Sequence, residues 1–208
     1  MTEILVIIGG FLSGSVMYAS LIPRLFLKRD IENESDDRNP GAGNVFKLCG
    51  VFWGFLCLFF DLGKGVLPVL AACSLLDPAK WWFSLAIFAP VLGHAIAPLN
   101  RFHGGKCVAV SFGSLLGLLP VSYIVFVLAA VYILFSTLLK IDPHRRRSAW
   151  TFFVFGVLAA AFSLWQGLLS VAIGAALIAV TGVLKHTRYA LDALPAPAAE
   201  EEEETERA

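Results

Sequence analysis

The chain has 208 residues, of which 58% are hydrophobic and 15% charged, with a mean hydropathy of +0.76. This balance excludes a water-soluble domain, because the apolar runs approach the length that crosses a bilayer. Sixteen basic and sixteen acidic residues cancel to a formal net charge of zero, and no nucleic-acid partner is assigned. Cys49, Cys57, Cys73 and Cys107 lie in or beside apolar runs without a CxxC spacing, so they read as packing residues rather than metal ligands or a disulfide framework.

Residues 3–23 form the first predicted span. It has neither a basic flank before it nor a small-residue cleavage site, so it reads as a membrane helix and not a removed signal. A charged loop follows from Arg24 to about Asn44 and contains Asn39-Pro40-Gly41-Ala42-Gly43-Asn44. The second span runs from about Phe46 to Cys73 and carries Asp61 and Lys64. Those two residues share a helix face and are able to pair. Ionisable groups inside a membrane helix mark a functional site by default, the alternative being an ion pair that only locks helices together. The third span covers about 81–97, after a turn at Asp77-Pro78.

Residues 108–139 are apolar and interrupted by Pro120, so they form either one kinked helix or a short helix followed by a full span. The sixth and seventh spans cover about 149–163 and 167–184, with a break near Gln166. The proline-, alanine- and glutamate-rich tail, 191–208, is expected to be a disordered, solvated acidic segment. Charge decides the break at Pro120. Splitting there puts segments 24–47, 99–106, 140–147 and 185–208 on one side, with 14 of the 16 Lys and Arg residues. Basic residues concentrate in cytoplasmic loops, so the fold expected is an all-α integral membrane protein of seven transmembrane helices. Its N-terminus is outside, its C-terminus is cytoplasmic, and its fourth helix is short.

The polar turn after the third span, Gly93-His94 through Gly104-Gly105-Lys106, is the main candidate for chemistry. Paired glycines let backbone approach a ligand, and a lysine beside the free amides of the next helix makes an anion site. The competing reading is a tight membrane turn with Lys106 as a snorkelling anchor.

These landmarks resemble the bacterial membrane acyltransferases that move a fatty acyl group from acyl phosphate to glycerol 3-phosphate. Gly14-Ser15 and the loop ending Gly41-Ala42-Gly43-Asn44-Val45-Phe46-Lys47 are similar to that family's first motif. Asp61, Lys64 and Gly65 match its D-x-x-K-G helix. Gly93-His94, Phe102, Gly104-Gly105-Lys106 and Val108-Ala109 match its G-H…F-x-G-G-K-G-V-A motif, and Lys185-His186 stand where the third begins. Three departures are visible. Asp37 replaces the serine of S-G-N-I-G-A-T-N, Cys107 replaces the glycine after G-G-K, and Thr187-Arg188-Tyr189 does not continue the third motif.

The resemblance implies an acyltransferase in residues 1–190 at the bacterial inner membrane, with its active site facing the cytoplasm. It would use acyl phosphate and glycerol 3-phosphate as substrates and need no cofactor or metal. An acyl phosphate is already activated, so the protein must supply charge for phosphate, donors for the oxyanion and alignment of the hydroxyl. Gly104, Gly105 and Lys106 are expected to hold phosphate, with Lys64 as a second cation and Asp61 and Lys47 beside them. Gly41, Asn39 and Asn44 would orient substrate, and His94 and His186 would bind phosphate or pack rather than assist proton transfer, since the leaving phosphate can itself accept the hydroxyl proton. Asp37 either pairs with a neighbour such as Arg38 or acts as a base. The alternatives are a different acyl acceptor, or a small-anion transporter whose pathway Asp61 and Lys64 line.

Overall fold

The computed structural model describes residues 1–191, with side chains to residue 187. Of the tail expected over 191–208, all but the backbone of Leu191 lies outside the described residues. The described chain is helical throughout: α1 (Thr2–Ser15), α2 (Tyr18–Ile22), α3 (Ile31–Glu34), α4 (Ala42–Cys49), α5 (Val51–Leu75), α6 (Phe83–Ile96), α7 (Val108–Gly117), α8 (Ile124–Ile133), α9 (His144–Trp165) and α10 (Leu169–Leu191). Wider π-type turns extend α2 over Pro23–Leu27 and α8 over Leu134–Leu138.

Five stretches are long and apolar enough to cross a membrane: Thr2–Leu27, Val51–Leu75, Phe83–Asn100, His144–Trp165 and Leu169–Thr187. Val108–Gly117 and Ile124–Leu138 are shorter apolar helices. The break at Pro120 is real, because residues 118–123 form the turn between α7 and α8. The break near Gln166 also holds, with Gly167 at φ +74° in the turn.

Two expected spans differ from what is found. The second is divided at Gly50, whose φ of +90° lies where glycine rests without a Cβ penalty. Ahead of it, α4 is a separate amphipathic helix that buries Ala42 and Val45. Those residues join Ala19, Ile22, Ile31 and Cys57 in a small core of their own. The first span is also interrupted, because Val16 and Met17 leave helical geometry between α1 and α2. That interruption exposes the Val16 carbonyl, which accepts a hydrogen bond from Lys64 Nζ at 2.6 Å.

The main core lies between α5, α6, α7, α9 and α10, around Phe83, Ile87, Leu115, Phe155 and Ile178. Small residues bring its helices close together. Membrane helices lack a hydrophobic drive between them, so they associate through close van der Waals contact at such residues. On α1 and α6, a Cβ at Gly14 would strike the Pro90 backbone and one at Gly93 the Phe11 carbonyl. On α5 and α7, a Cβ at Gly65 would lie 2.6 Å from the Ser114 nitrogen and one at Gly113 would meet the Leu62 carbonyl. The second contact fixes α7 against α5 and so sets the width of the space beside them. Gly113→Leu should therefore lower stability by about 1–3 kcal/mol through overpacking. Thermal unfolding in detergent checks this, with Gly63→Ala, which faces open space on α5, as the tolerated control.

Candidate active site

One end of the bundle holds a cavity of about 740 Å³. Its polar wall comes from the 37–41 loop, the start of α4, Lys106 and Cys107, the start of α9 and the end of α10. Its apolar wall comes from Leu58 and Leu62 on α5, Val108, Ala109, Phe112 and Leu116 on α7, and Tyr132 on α8. Phe112 and Tyr132 meet edge to face at 6.0 Å. From Val108 to Leu116 the wall follows α7 for about 12 Å at 1.5 Å per residue.

Nine of the twelve residues singled out from sequence line this cavity: Asp37, Asn39, Gly41, Asn44, Lys47, Asp61, His94, Lys106 and His186. Lys47 is at the exposed rim, whereas His94 and His186 are buried. His186 tilts against Phe152 at 5.9 Å, and neither of its ring nitrogens has a hydrogen-bond partner among the described residues.

The other three, Gly104, Gly105 and Lys64, are outside the wall. The glycine pair admits protein backbone rather than a ligand. A Cβ on Gly104 would collide with the Ala95 carbonyl, and one on Gly105 with the His94 ring. The Gly105 amide also donates to the His94 carbonyl at 3.2 Å. The two glycines thus clamp the hairpin beneath the end of α6, and Lys106 emerges from that clamp at a fixed position. Val108 and Ala109, which do line the cavity, open α7 just beyond the hairpin. Ser111 is the first to donate back, to Cys107 at 3.0 Å, which leaves the amides of residues 108–110 without an acceptor inside α7.

Lys64 is likewise placed differently from the expected second cation. Its side chain is 1% exposed and pairs with Asp61 at 2.8 Å, besides its bond to the Val16 carbonyl. Its charge therefore reaches the cavity through Asp61, which lines it.

Asp37 pairs with Lys106 and not with Arg38. Its carboxylate also accepts from Asn44 Nδ2 at 2.8 Å and from the Asn39 amide at 3.2 Å. Burial raises its pKa, but hydrogen bonds from Lys106 and Asn44 outweigh that and hold it below the usual carboxylate range. A carboxylate stabilised in this way is a poor proton acceptor. Asn44 Nδ2 donates a second time, to the Asn39 carbonyl at 2.8 Å, so its amide hydrogens tie the loop together.

The sequence suggests an apolar groove between helices but does not single out Leu58, Leu62, Phe112, Leu116 and Tyr132 as its wall, nor His144 and Arg145, which complete the polar wall at the start of α9. The available signal was the basic run from His144 to Arg147, which entered the analysis only as a marker of topology.

With five described stretches long and apolar enough to cross a membrane, and a cavity that joins a cationic mouth to an apolar arm, this is a helical membrane protein. The glycerol-3-phosphate acyltransferase family model matches residues 4–191, and the chain belongs to that family. Among curated relatives, a glycerol-3-phosphate acyltransferase of Desulfovibrio desulfuricans is 40% identical over 118 residues, covering 57% of this chain and 52% of the relative. One of Pseudoalteromonas translucida is 41% identical over 117 residues, covering 56% of each. The chain spans about half the length of these curated relatives. A crystal structure of PlsY (YgiH), an integral membrane glycerol 3-phosphate acyltransferase in its glycerol 3-phosphate form, shares the fold. It has a TM-score of 0.77 and 24% identity, covering 92% of this chain and 91% of that one. A second PlsY structure, the lysphosphatidic acid form, gives 0.75.

Two predictions follow from the ionic contacts. Lys64→Met, which strands Asp61, should cost about 3–5 kcal/mol, and adding Asp61→Leu should recover most of it. Thermal melts of the single and double variants measure that coupling. For Asp37, a lowered pKa means a contribution that is complete above the ordinary carboxylate range and lost as pH falls through the lowered value. The stability gap between wild type and Asp37→Asn should thus be constant from about pH 8 to about pH 6 and close only in acid.

Proposed function

We propose that this chain transfers a fatty acyl group from an acyl phosphate to the 1-hydroxyl of glycerol 3-phosphate, giving lysophosphatidic acid and inorganic phosphate. The observation that carries this reading is one cavity that joins Lys106 and the first residues of α7 to an apolar arm between α5, α7 and α8. Family membership supports the acceptor.

In the proposed reaction the acyl chain lies along Leu58, Leu62, Phe112 and Leu116, with its phosphate against Lys106 and the α7 amides. The glycerol hydroxyl oxygen attacks the acyl carbonyl carbon, and the bond from that carbon to the phosphate oxygen breaks. The hydroxyl proton passes to the leaving phosphate, so no protein base is needed. Lys106 stabilises charge that builds on the leaving group, and the α7 amides serve as donors in a site partly screened from water. His186 and His94 hydrogen-bond substrate oxygens from the buried side. Lys47 and Arg145 attract the acceptor's phosphate at the rim, while Asn39 and Gly41 shape the loop beside it.

We further propose that the two shorter helices complete seven crossings, with the N-terminus outside and the cavity facing the cytoplasm of a bacterial inner membrane. The clustering of 14 of 16 basic residues on one side supports that orientation. At ten residues α7 is about 15 Å long, well short of a hydrocarbon core. Its packing against α5, and the cavity that runs beside it, fit the requirement that non-spanning backbone be shielded by protein or border water. Residues 1–190 form the catalytic unit.

Purified protein given palmitoyl phosphate and glycerol 3-phosphate should release 1-acylglycerol 3-phosphate. Lys106→Ala should lower kcat/KM about a hundredfold or more through loss of a charge-assisted contact to the leaving phosphate. Wild-type kinetics in a folded Lys106→Ala protein would remove Lys106 from the reaction.

A further inference from the structure

We propose that Asp37 is a built-in competing anion that occupies Lys106 in the empty enzyme, so that free phosphate binds poorly and an acyl phosphate, anchored by its chain, binds well. The inference rests on the reading of Lys106 as the phosphate-holding cation.

The geometry is that of an occupied anion site. The Asp37 carboxylate pairs with Lys106 Nζ inside the cavity and is steadied by Asn44 Nδ2 at 2.8 Å and by the Asn39 amide at 3.2 Å. The backbone at Lys106 is fixed by the glycine clamp beneath α6. The Lys106 side chain is 12% exposed and that of Asp37 32%, which leaves the carboxylate as the outer and more easily displaced member. A phosphate that reaches Lys106 competes with this carboxylate for the charge and donors of the ammonium.

An anion on the same chain competes at an effective concentration set by its tether, and that concentration does not fall on dilution. The apparent affinity of an incoming phosphate is then reduced by the fraction of time that Lys106 is available. Inorganic phosphate has only its charge with which to overcome this. An acyl phosphate also buries its chain against Leu58, Leu62, Phe112 and Leu116, and apolar burial grows with the area removed from water. The same carboxylate thus penalises both ligands but excludes only the one without a tail. It also limits inhibition by the phosphate that each turnover releases. Asp37 stands where the family pattern has an uncharged serine, so the device belongs to this chain's own sequence.

The test uses the full-length chain in detergent, with Asp37→Asn, Asp37→Ser and Asp37→Asn/Lys106→Ala, each confirmed as monodisperse. Equilibrium dialysis with radiolabelled orthophosphate measures binding without reference to activity. Both single variants should bind phosphate about tenfold or more tightly than wild type, and the double variant should lose that gain. In the transfer assay, phosphate should inhibit Asp37→Asn at lower concentration than wild type, and KM for palmitoyl phosphate should fall by a comparable factor, because one carboxylate competes with both ligands. Unchanged phosphate binding in both single variants overturns the proposal, as does a fall in KM for palmitoyl phosphate without any fall in the phosphate inhibition constant. A binding gain without any acyl transfer by wild type would overturn the enzymatic reading and leave the competing anion standing. Acyl transfer without a binding gain would do the reverse.

Discussion

A lysine ammonium inside a membrane helix has to find oxygen partners, and Lys64 finds two. Asp61 provides one from the preceding turn of α5. The second, the Val16 carbonyl, is available only because the chain leaves helical geometry at Val16 and Met17. A continuous first span would keep that carbonyl within its own ladder. The Ser13 hydroxyl returns the interaction by donating to the Lys64 carbonyl at 3.0 Å. One buried charge thereby interrupts one span, joins it to another and holds Asp61 in the cavity wall.

A second constraint acts on the hairpin between α6 and α7. Ala97, Arg101, Phe102 and Cys107 all have positive φ, with Cys107 at +65°. Such backbone persists only where its surroundings over-determine it. Here the surroundings are the clamp of Gly104 and Gly105 beneath α6 and the burial of Cys107, which is 1% exposed. A glycine at 107, as in the related pattern, adopts that φ without a Cβ penalty. In this chain cysteine accepts the strained conformation and fills core space instead. The result is a short, rigid path from the α6 terminus to Lys106, which suits a cation whose position relative to the α7 amides matters.

Much of this was legible in the sequence because it follows from local rules. The proline break at 120, the pairing of Asp61 with Lys64 and the turn near Gln166 all depend on residues close together in the chain. The convergence of the polar segments also emerged, because charge asymmetry sorts loops by side. What sequence alone did not disclose depends on separation in space. Gly50 looks like one more small residue in a greasy run until its φ shows that α4 and α5 are distinct. The partner of Asp37 is 69 residues away, so Arg38 looked closer on paper. The residues of the apolar wall did not stand out for a different reason: Phe112, Leu116 and Tyr132 are ordinary residues of membrane helices, and only packing decides which of them face lipid and which face a cavity.

The two ends of the cavity differ in how firmly they are built, and that difference bears on catalysis. The apolar arm is walled by helices whose contacts are set by glycine and backbone, as at Gly65 and Gly113, so its shape is pre-formed. The polar mouth is assembled from a loop, a hairpin and two helix ends held by hydrogen bonds and one partly exposed ion pair. Partly exposed pairs are weak compared with close-packed contacts, because water competes for both charges. A ligand can thus remake the contacts at the mouth without disturbing the arm. In the reaction proposed above, an amphiphile whose tail is positioned first would meet a head-group site that adjusts around it, and alignment of carbonyl carbon with hydroxyl would then be governed by the rigid end of the molecule. That order of rigidity is what acyl transfer to a small polar acceptor needs, since misalignment of the reacting atoms, more than weak binding, is what slows such a step.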